Sequence, residues 1–132
     1  MAVKKEQLEH DSETARRRPI ELITENGFSI VRMSDLEAEA APASRLYVFL
    51  VRDPNDYELE ITVEIERSFW HQIVMQSRSR ISGESSYWIC CAERHLTDYL
   101  WDKGDYPPDA LLSVCTPTPV DVELAHRWGR NV

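Results

Sequence analysis

The chain has 132 residues, of which 42% are hydrophobic and 29% charged, and its formal net charge is −8. This length suits one domain with one core, and the balance of apolar and charged residues argues against disorder and low-complexity structure. No apolar run approaches the ~18 residues of a membrane-spanning helix, so we expect no contact with a membrane. The excess of carboxylates disfavours nucleic acid as a partner, because lysine and arginine supply the attraction to phosphates.

The N-terminal segment and the cysteines indicate where the protein acts. Residues 1–11 lack the apolar core of a signal peptide, so neither secretion nor export is indicated. The three cysteines do not suggest a disulfide framework, and reduced thiols are typical of a cytoplasmic protein. Residues 1–18 are densely charged with little to bury. We predict a charged N-terminal arm at 1–18 and a single α+β domain over 19–132.

Residues 19–33 allow two interpretations. In the first, Asn26 and Gly27 form the turn of a β-hairpin, because this dipeptide is preferred where turn residues need a positive φ. In the second, a helix begins at Pro19 and ends at Gly27 as a left-handed cap, and a strand follows at 28–33. We favour the second. The arginines just before Pro19 gain nothing from the dipole of such a helix, so the hairpin remains an alternative.

The middle of the chain predicts an antiparallel hairpin. Residues 34–44 are small and acidic and indicate a loop. Six consecutive apolar residues at 46–51 indicate a strand covered on both faces, which we place at the centre of the sheet. Turn residues follow at 53–56. Nearly perfect alternation over 57–66 then directs apolar side chains to one face, and Thr62 with four glutamates to the other.

One short and one long helix are predicted next. Ser68 can cap a helix that continues to about Gln76, and a polar loop or edge strand follows it. The strongest helical pattern spans residues 86–102 and ends at Gly104. Its predicted core-facing side chains are Trp88, Ile89, Ala92, Leu96, Tyr99 and Leu100.

The C-terminal segment adds a short strand at 111–115 and a final helix that Thr118 caps and Pro119 begins. The sequence therefore predicts an α+β fold. We expect a small, mainly antiparallel sheet of three to five strands, packed against the aromatic-rich helix 86–102 and two or three shorter helices.

The long helix also carries the best candidate for chemistry. Cys91, His95 and Asp98 have the spacing that aligns side chains along one stripe of a helix. An imidazolium one turn from a thiol lowers the pKa of that thiol, and Asp98 can assist His95, so these three are our candidate catalytic residues. No neighbouring segment offers oxyanion donors, however, and Cys91 as a small buried residue is the competing interpretation.

The same helix raises the question of a metal site. Zinc binding by Cys91 and His95 would need further ligands, such as Cys115 or His126. The adjacent pair Cys90 and Cys91 lacks the two-residue spacing of zinc knuckles and redox motifs. We therefore predict no metal and no cofactor.

Two charged groups are candidates for binding a partner. Glu60 and Glu64 belong to an alternating acidic row that can dock a basic partner or simply keep the sheet face hydrated. Arg78 and Arg80 lie among serines in a loop able to approach a phosphate.

Two aromatic residues are further candidates for binding. Trp101 lies outside the predicted core face of its helix, and Tyr106 follows closely. Residue types of this kind are enriched at interface hot spots, so an exposed patch here predicts association with another protein or with a second copy as a homodimer.

These features rank three functions. A non-enzymatic protein-interaction or regulatory module comes first, because no complete catalytic set is present. The alternative is a small thiol-dependent hydrolase or transferase that uses Cys91 and His95. The second alternative is nucleic-acid or phospholigand binding through the arginines at 16–18 together with Arg78 and Arg80.

Overall fold

The computed structural model describes residues 21–33 and 44–130. The arm predicted at 1–18 and nearly all of the loop predicted at 34–44 lie outside these residues. The elements are β1 (Glu21–Ile23), β2 (Ser29–Arg32), β3 (Ser44–Arg52), β4 (Glu58–Glu66), α1 (Arg67–Ser77), α2 (Tyr87–Lys103), a 3-10 turn (Pro108–Ala110), β5 (Leu111–Val114) and α3 (Pro119–Arg130). None of the helices in the described ranges has the length and apolar character needed to cross a bilayer.

The strands form one sheet in the order β1-β2-β3-β4-β5. The first three pairings are antiparallel, and β5 joins the edge of β4 in parallel. The parallel step follows from the connection, because two helices lie between β4 and β5 and return the chain to the same end of the sheet. The predicted α+β class with a small, mainly antiparallel sheet is confirmed.

Residues 21–32 form a β-hairpin, so the helix that we favoured from Pro19 to Gly27 is wrong over the residues described. The Thr24 N–H donates to the Phe28 carbonyl at 2.8 Å, and the Gly27 N–H donates to the Thr24 carbonyl at 3.0 Å. Gly27 has a φ of 96°, which few residues other than glycine adopt. Burial of Phe28 and Ile30 against the core, together with this turn, outweighs the helix signal of the proline.

The hairpin predicted between residues 46 and 66 is confirmed. Its strands pair over their full length, from Ser44 opposite Glu66 to Arg52 opposite Glu58. The carboxylate of Asp53 closes the turn by accepting the N–H groups of the residues two and four positions later, each at 2.9 Å. β3 has a neighbouring strand on both sides and is central, as predicted. Only one of its faces joins the core, whereas the prediction had both faces covered, and no described element packs on the side of Leu46, Val48 and Leu50.

The three helices predicted after residue 66 lie where the sequence places them, with one error in a cap. α2 ends at Gly104, whose N–H donates to the Leu100 carbonyl at 2.9 Å. α1 follows β4 without a loop, and Glu66, not Ser68, occupies its N-cap without a side-chain hydrogen bond. The chain enters α1 directly from the strand, and this leaves no turn in which Ser68 could act as a cap.

The core lies between the helices and one face of the sheet. Buried strand residues alternate with half-buried or exposed ones, so a single face is buried. The strand residues of the core are Ile30, Tyr47, Phe49, Val51, Ile61, Val63, Ile65 and Val114. The core face predicted for α2 is buried except for Tyr99, which is half-exposed. No described element covers the opposite side of the sheet, which we call the open face.

The turn at Gly27 provides a test of the hairpin. Gly27→Ala should lower the free energy of unfolding by about 1–2 kcal/mol, because a side chain disfavours the left-handed backbone. The new Cβ would also lie 3.1 Å from the ring of Pro54. Chemical denaturation measures the change, with the exposed neighbour substitution Glu25→Ala as control. Equal stability of the two variants would contradict the observed turn.

Candidate functional site

A buried polar cluster connects α2 to the first turn of α3, and the carboxylate of Asp121 is its centre. Asp121 is 0% exposed. Its Oδ2 accepts hydrogen bonds from His95 Nε2 at 2.7 Å and from the Thr118 N–H at 2.9 Å. Its Oδ1 accepts from the Arg94 guanidinium at 2.6 Å and from the Cys91 thiol at 3.5 Å. We call these residues the Asp121 cluster.

Local sequence positions both sides of the cluster. Thr118 and Asp121 form a reciprocal cap at the start of α3, because the Asp121 N–H also donates to Thr118 Oγ1 at 3.2 Å. A carboxylate in the first turn is favoured by the partial positive charge of a helix N-terminus. On α2, Tyr87, Cys91 and His95 follow one another at four-residue spacing and face this turn. The Tyr87 hydroxyl donates to the Asp121 carbonyl at 2.8 Å.

The hydrogen bonds of the cluster keep Asp121 ionised. Burial by itself would raise the pKa of this carboxyl. The hydrogen bonds from His95, the Thr118 backbone and Arg94 outweigh burial and hold the pKa well below its usual range. Asp121 is therefore a buried anion with Arg94 as its fixed cation.

The thiol of Cys91 has the opposite environment from an activated nucleophile. Cys91 is 0% exposed. Burial, followed by the negative charge of Asp121, raises the pKa of the thiol, and the nearby Arg94 only partly offsets this effect. Reactive cysteines lie in electropositive and partly exposed sites where their pKa is lowered. This geometry favours a packing role for Cys91.

The three residues that we predicted as catalytic are only partly brought together. Cys91 and His95 lie in the Asp121 cluster, whereas Asp98 is exposed on the same helix. His95 takes Asp121 as its carboxylate partner. The sequence shows Asp121 as an acid in the first turn of α3, but no sequence signal links that turn to α2. The partner was missed because the link depends on how the two helices pack.

The cluster contains three side chains of metal-ligating type. Their donor atoms lie within 4.8 Å of one another, and they are Cys91, His95 and Asp121. Arg94 already supplies a positive charge to this carboxylate, with its guanidinium 2.6 Å from Asp121 Oδ1. The ligands that we considered for completing a zinc site lie elsewhere. Cys115 donates to Glu66 at 2.8 Å, and His126 Nδ1 lies 3.1 Å from the Ser77 carbonyl.

The two arginines of the serine-rich loop do not form one basic patch. Arg78 lines a groove of about 550 Å³ between the end of α1 and the start of α3. Arg80 lines a different groove of about 430 Å³ beside α1. Ser79 is buried between the two arginines. The loop therefore presents its charges to separate sites.

The two aromatic candidates differ in their environments. Trp101 is 52% exposed and is accessible to a partner. Tyr106 is half-buried, its hydroxyl donates to the Tyr57 carbonyl at 2.5 Å, and its ring meets Phe28 edge-on with centroids 6.0 Å apart. Tyr106 thus attaches the segment after α2 to the sheet.

Glu60 and Glu64 lie on the open face, next to a stripe of apolar side chains from β3. Leu50 is paired with Glu60, and Leu46 is paired with Glu64. Val48 lies between them along β3 and is half-buried, like both leucines. Neither glutamate has a hydrogen bond or an ion pair with any described residue.

Comparison with known proteins gives no match to a family model, a curated protein or a solved structure.

Asp121→Asn tests the role of the cluster. At pH 7 it should lower the free energy of unfolding by about 3–5 kcal/mol, because Arg94 would lose its buried counter-ion. The folded-state pKa of Asp121 lies below the unfolded value of ~3.9, so the wild type should lose this stabilisation as the pH falls below about 4, and the variant should not. Urea denaturation across this range measures both effects. Asp98→Asn on the exposed side of α2 is the matched control, and equal stability of the two variants would count against the cluster.

Differential alkylation tests the state of Cys91. Treating the native chain with iodoacetamide at pH 8 should label the exposed Cys115 and leave Cys91 unmodified, because burial excludes the reagent and raises the pKa of the thiol. Fragmentation mass spectrometry distinguishes Cys91 from the adjacent, half-buried Cys90 and reports Cys115 separately. Labelling of Cys91 should appear only after denaturant is added. Modification of native Cys91 as fast as that of Cys115 would instead support the hypothesis of a thiol-dependent enzyme.

Proposed function

We propose that the domain is a non-enzymatic protein-interaction or regulatory module whose open face binds a basic partner. The observation that carries this proposal is the open face itself, where the apolar stripe of Leu46, Val48 and Leu50 lies beside the carboxylates of Glu60 and Glu64. An apolar stripe next to a row of carboxylates fits a partner that is apolar on one side and cationic on the other.

The pairing of the central strands limits how a partner can bind. Strands pair with both sides of β3 over 49–52 and of β4 over 62–65, so the backbone groups of these segments are used within the sheet. A partner on this face therefore docks through side chains and does not add a strand. An amphipathic helix is the element that covers a sheet face in this way, with its apolar side chains on the β3 stripe. Glu60 and Glu64 are about 13 Å apart along the strand, which matches cationic side chains about two turns apart on such a helix.

The charges of the face favour a basic partner over a second copy. Besides Glu60 and Glu64, the register places Glu21, Glu58 and Glu66 on this face. Arg52 is the one described cation there, and it is paired with Glu58 at 2.7 Å. Two copies meeting through this face would bring like charges together, and the net charge of −8 adds to the repulsion.

A non-enzymatic role and a cytoplasmic location are part of the same proposal. The buried thiol of Cys91 and its raised pKa support a packing role over nucleophilic catalysis. The cysteines at 90, 91 and 115 are all unpaired, as expected in a reducing compartment. Trp101 remains a candidate for a second contact with the partner.

The double substitution Glu60→Lys with Glu64→Lys tests the acidic face. The probe is a synthetic amphipathic helix of leucine, alanine and lysine, and calorimetry at physiological salt measures its affinity. We expect the double substitution to weaken binding at least about tenfold, because it places like charges opposite the lysines. Glu25→Lys with Asp102→Lys makes the same change in net charge at exposed positions away from this face and should retain the affinity. A peptide with glutamine in place of lysine should bind weakly to every variant.

Three outcomes would overturn the proposal. The first is equal binding of the lysine peptide by both charge variants. The second is a concentration-dependent dimer that the Glu60 and Glu64 substitutions abolish, because this would assign the face to a second copy. The third is tighter peptide binding when Arg16, Arg17 and Arg18 are replaced by glutamine, because this would assign the face to the chain's own N-terminal residues.

A further inference from the structure

A groove on the helix side of the sheet is separate from both the open face and the Asp121 cluster. It lies between α1 and the loop that follows, and its volume is about 430 Å³. Volumes of about 300–1,000 Å³ are usual for sites that bind small molecules. The side chains that give it chemical character are Trp70, His71, Val74, Arg80 and Ile81.

Trp70, the aromatic side of this groove, is supported by a buried aromatic ring. Trp70 meets the buried ring of Trp88 edge-on, with centroids 5.9 Å apart. The indole N–H of Trp88 donates to the Ser82 carbonyl at 2.9 Å, which attaches the loop to the same ring. Trp70 is nevertheless 36% exposed, and His71 stacks on it at an angle of 29°. The groove is therefore lined by a partly exposed indole that is supported by a buried ring.

A cation without a partner lies at the edge of this surface. Arg80 is exposed and has no hydrogen bond or ion pair with any described residue. Ile81, the next residue, is buried and fixes the backbone beside it. A guanidinium presents paired N–H donors that match the two oxygens of a carboxylate. A single arginine suits a singly charged anion, because the −8 net charge of the chain opposes more highly charged ones.

We propose that this groove binds a small planar aromatic carboxylate. The ring of the ligand stacks on Trp70 and contacts Val74 and Ile81, and its carboxylate pairs with Arg80. This site is independent of the open face, because it lies on the helix-covered side of the sheet. It gives the protein a small-molecule ligand in addition to a protein partner.

Indole-3-acetate serves as the probe for this site. In an NMR titration of the full chain labelled with ¹⁵N, it should shift the indole N–H signal of Trp70 saturably, and Trp70→Phe assigns that signal. Arg80→Gln should weaken binding about tenfold or more, because it removes a charge-assisted hydrogen bond. Arg78→Gln removes the same charge from the neighbouring groove and should leave the affinity unchanged. Indole-3-acetamide, which lacks the charge, should bind more weakly than the acid to the wild type.

The design separates the proposal from a general effect of charge or of folding. Equal weakening by Arg78→Gln and Arg80→Gln would overturn it, because that result indicates nonspecific attraction. Equal affinity of the acid and the amide would overturn it as well. Shifts confined to residues of the open face would also overturn the proposal, because the probe would then bind there and not in the groove. Both arginines are exposed, so their substitution should leave the amide spectrum of the folded protein intact.

Discussion

The full-length pairing of β3 with β4 is the constraint on which the rest of the structure depends. Because side chains alternate along a strand, this register directs Phe49 and Ile61 into the core and their neighbours to the open face. A slip of one residue would exchange the two sets and bury Glu60 and Glu64. The described helices cover the side that carries Phe49 and Ile61, and the acidic face on the other side follows from the same pairing.

On the covered side, polar chemistry is used to hold helices together. A carboxylate as deeply buried as that of Asp121 requires partners, and α2 supplies a guanidinium, an imidazole and a thiol along one stripe. The thiol of Cys91 is fully buried there, whereas the Arg94 and His95 side chains stay partly exposed. All three side chains donate hydrogen bonds to one buried acid.

The two proposed binding surfaces differ in shape and in charge. The open face is built on paired strands and presents carboxylates beside aliphatic side chains, which suits an extended contact with a basic protein. The groove beside Trp70 is small, partly aromatic and bordered by Arg80, which has no ion pair with any described residue, and this suits a single acid. They lie on opposite sides of the sheet, so both can be occupied at the same time.

The sequence by itself determined the elements whose signals are local. Alternation over residues 57–66, the turn at Asp53 and the termination of α2 at Gly104 each depend on neighbours along the chain, and all three were predicted. Residues 19–33 carried two local signals of similar strength, and the packing of Phe28 and Ile30 against the core added to the turn at Gly27 and favoured the hairpin. The link between His95 and Asp121 and the separation of Arg78 from Arg80 were also decided by tertiary structure. Contacts between residues far apart in the chain depend on how whole elements pack, and this leaves no periodic trace in the sequence.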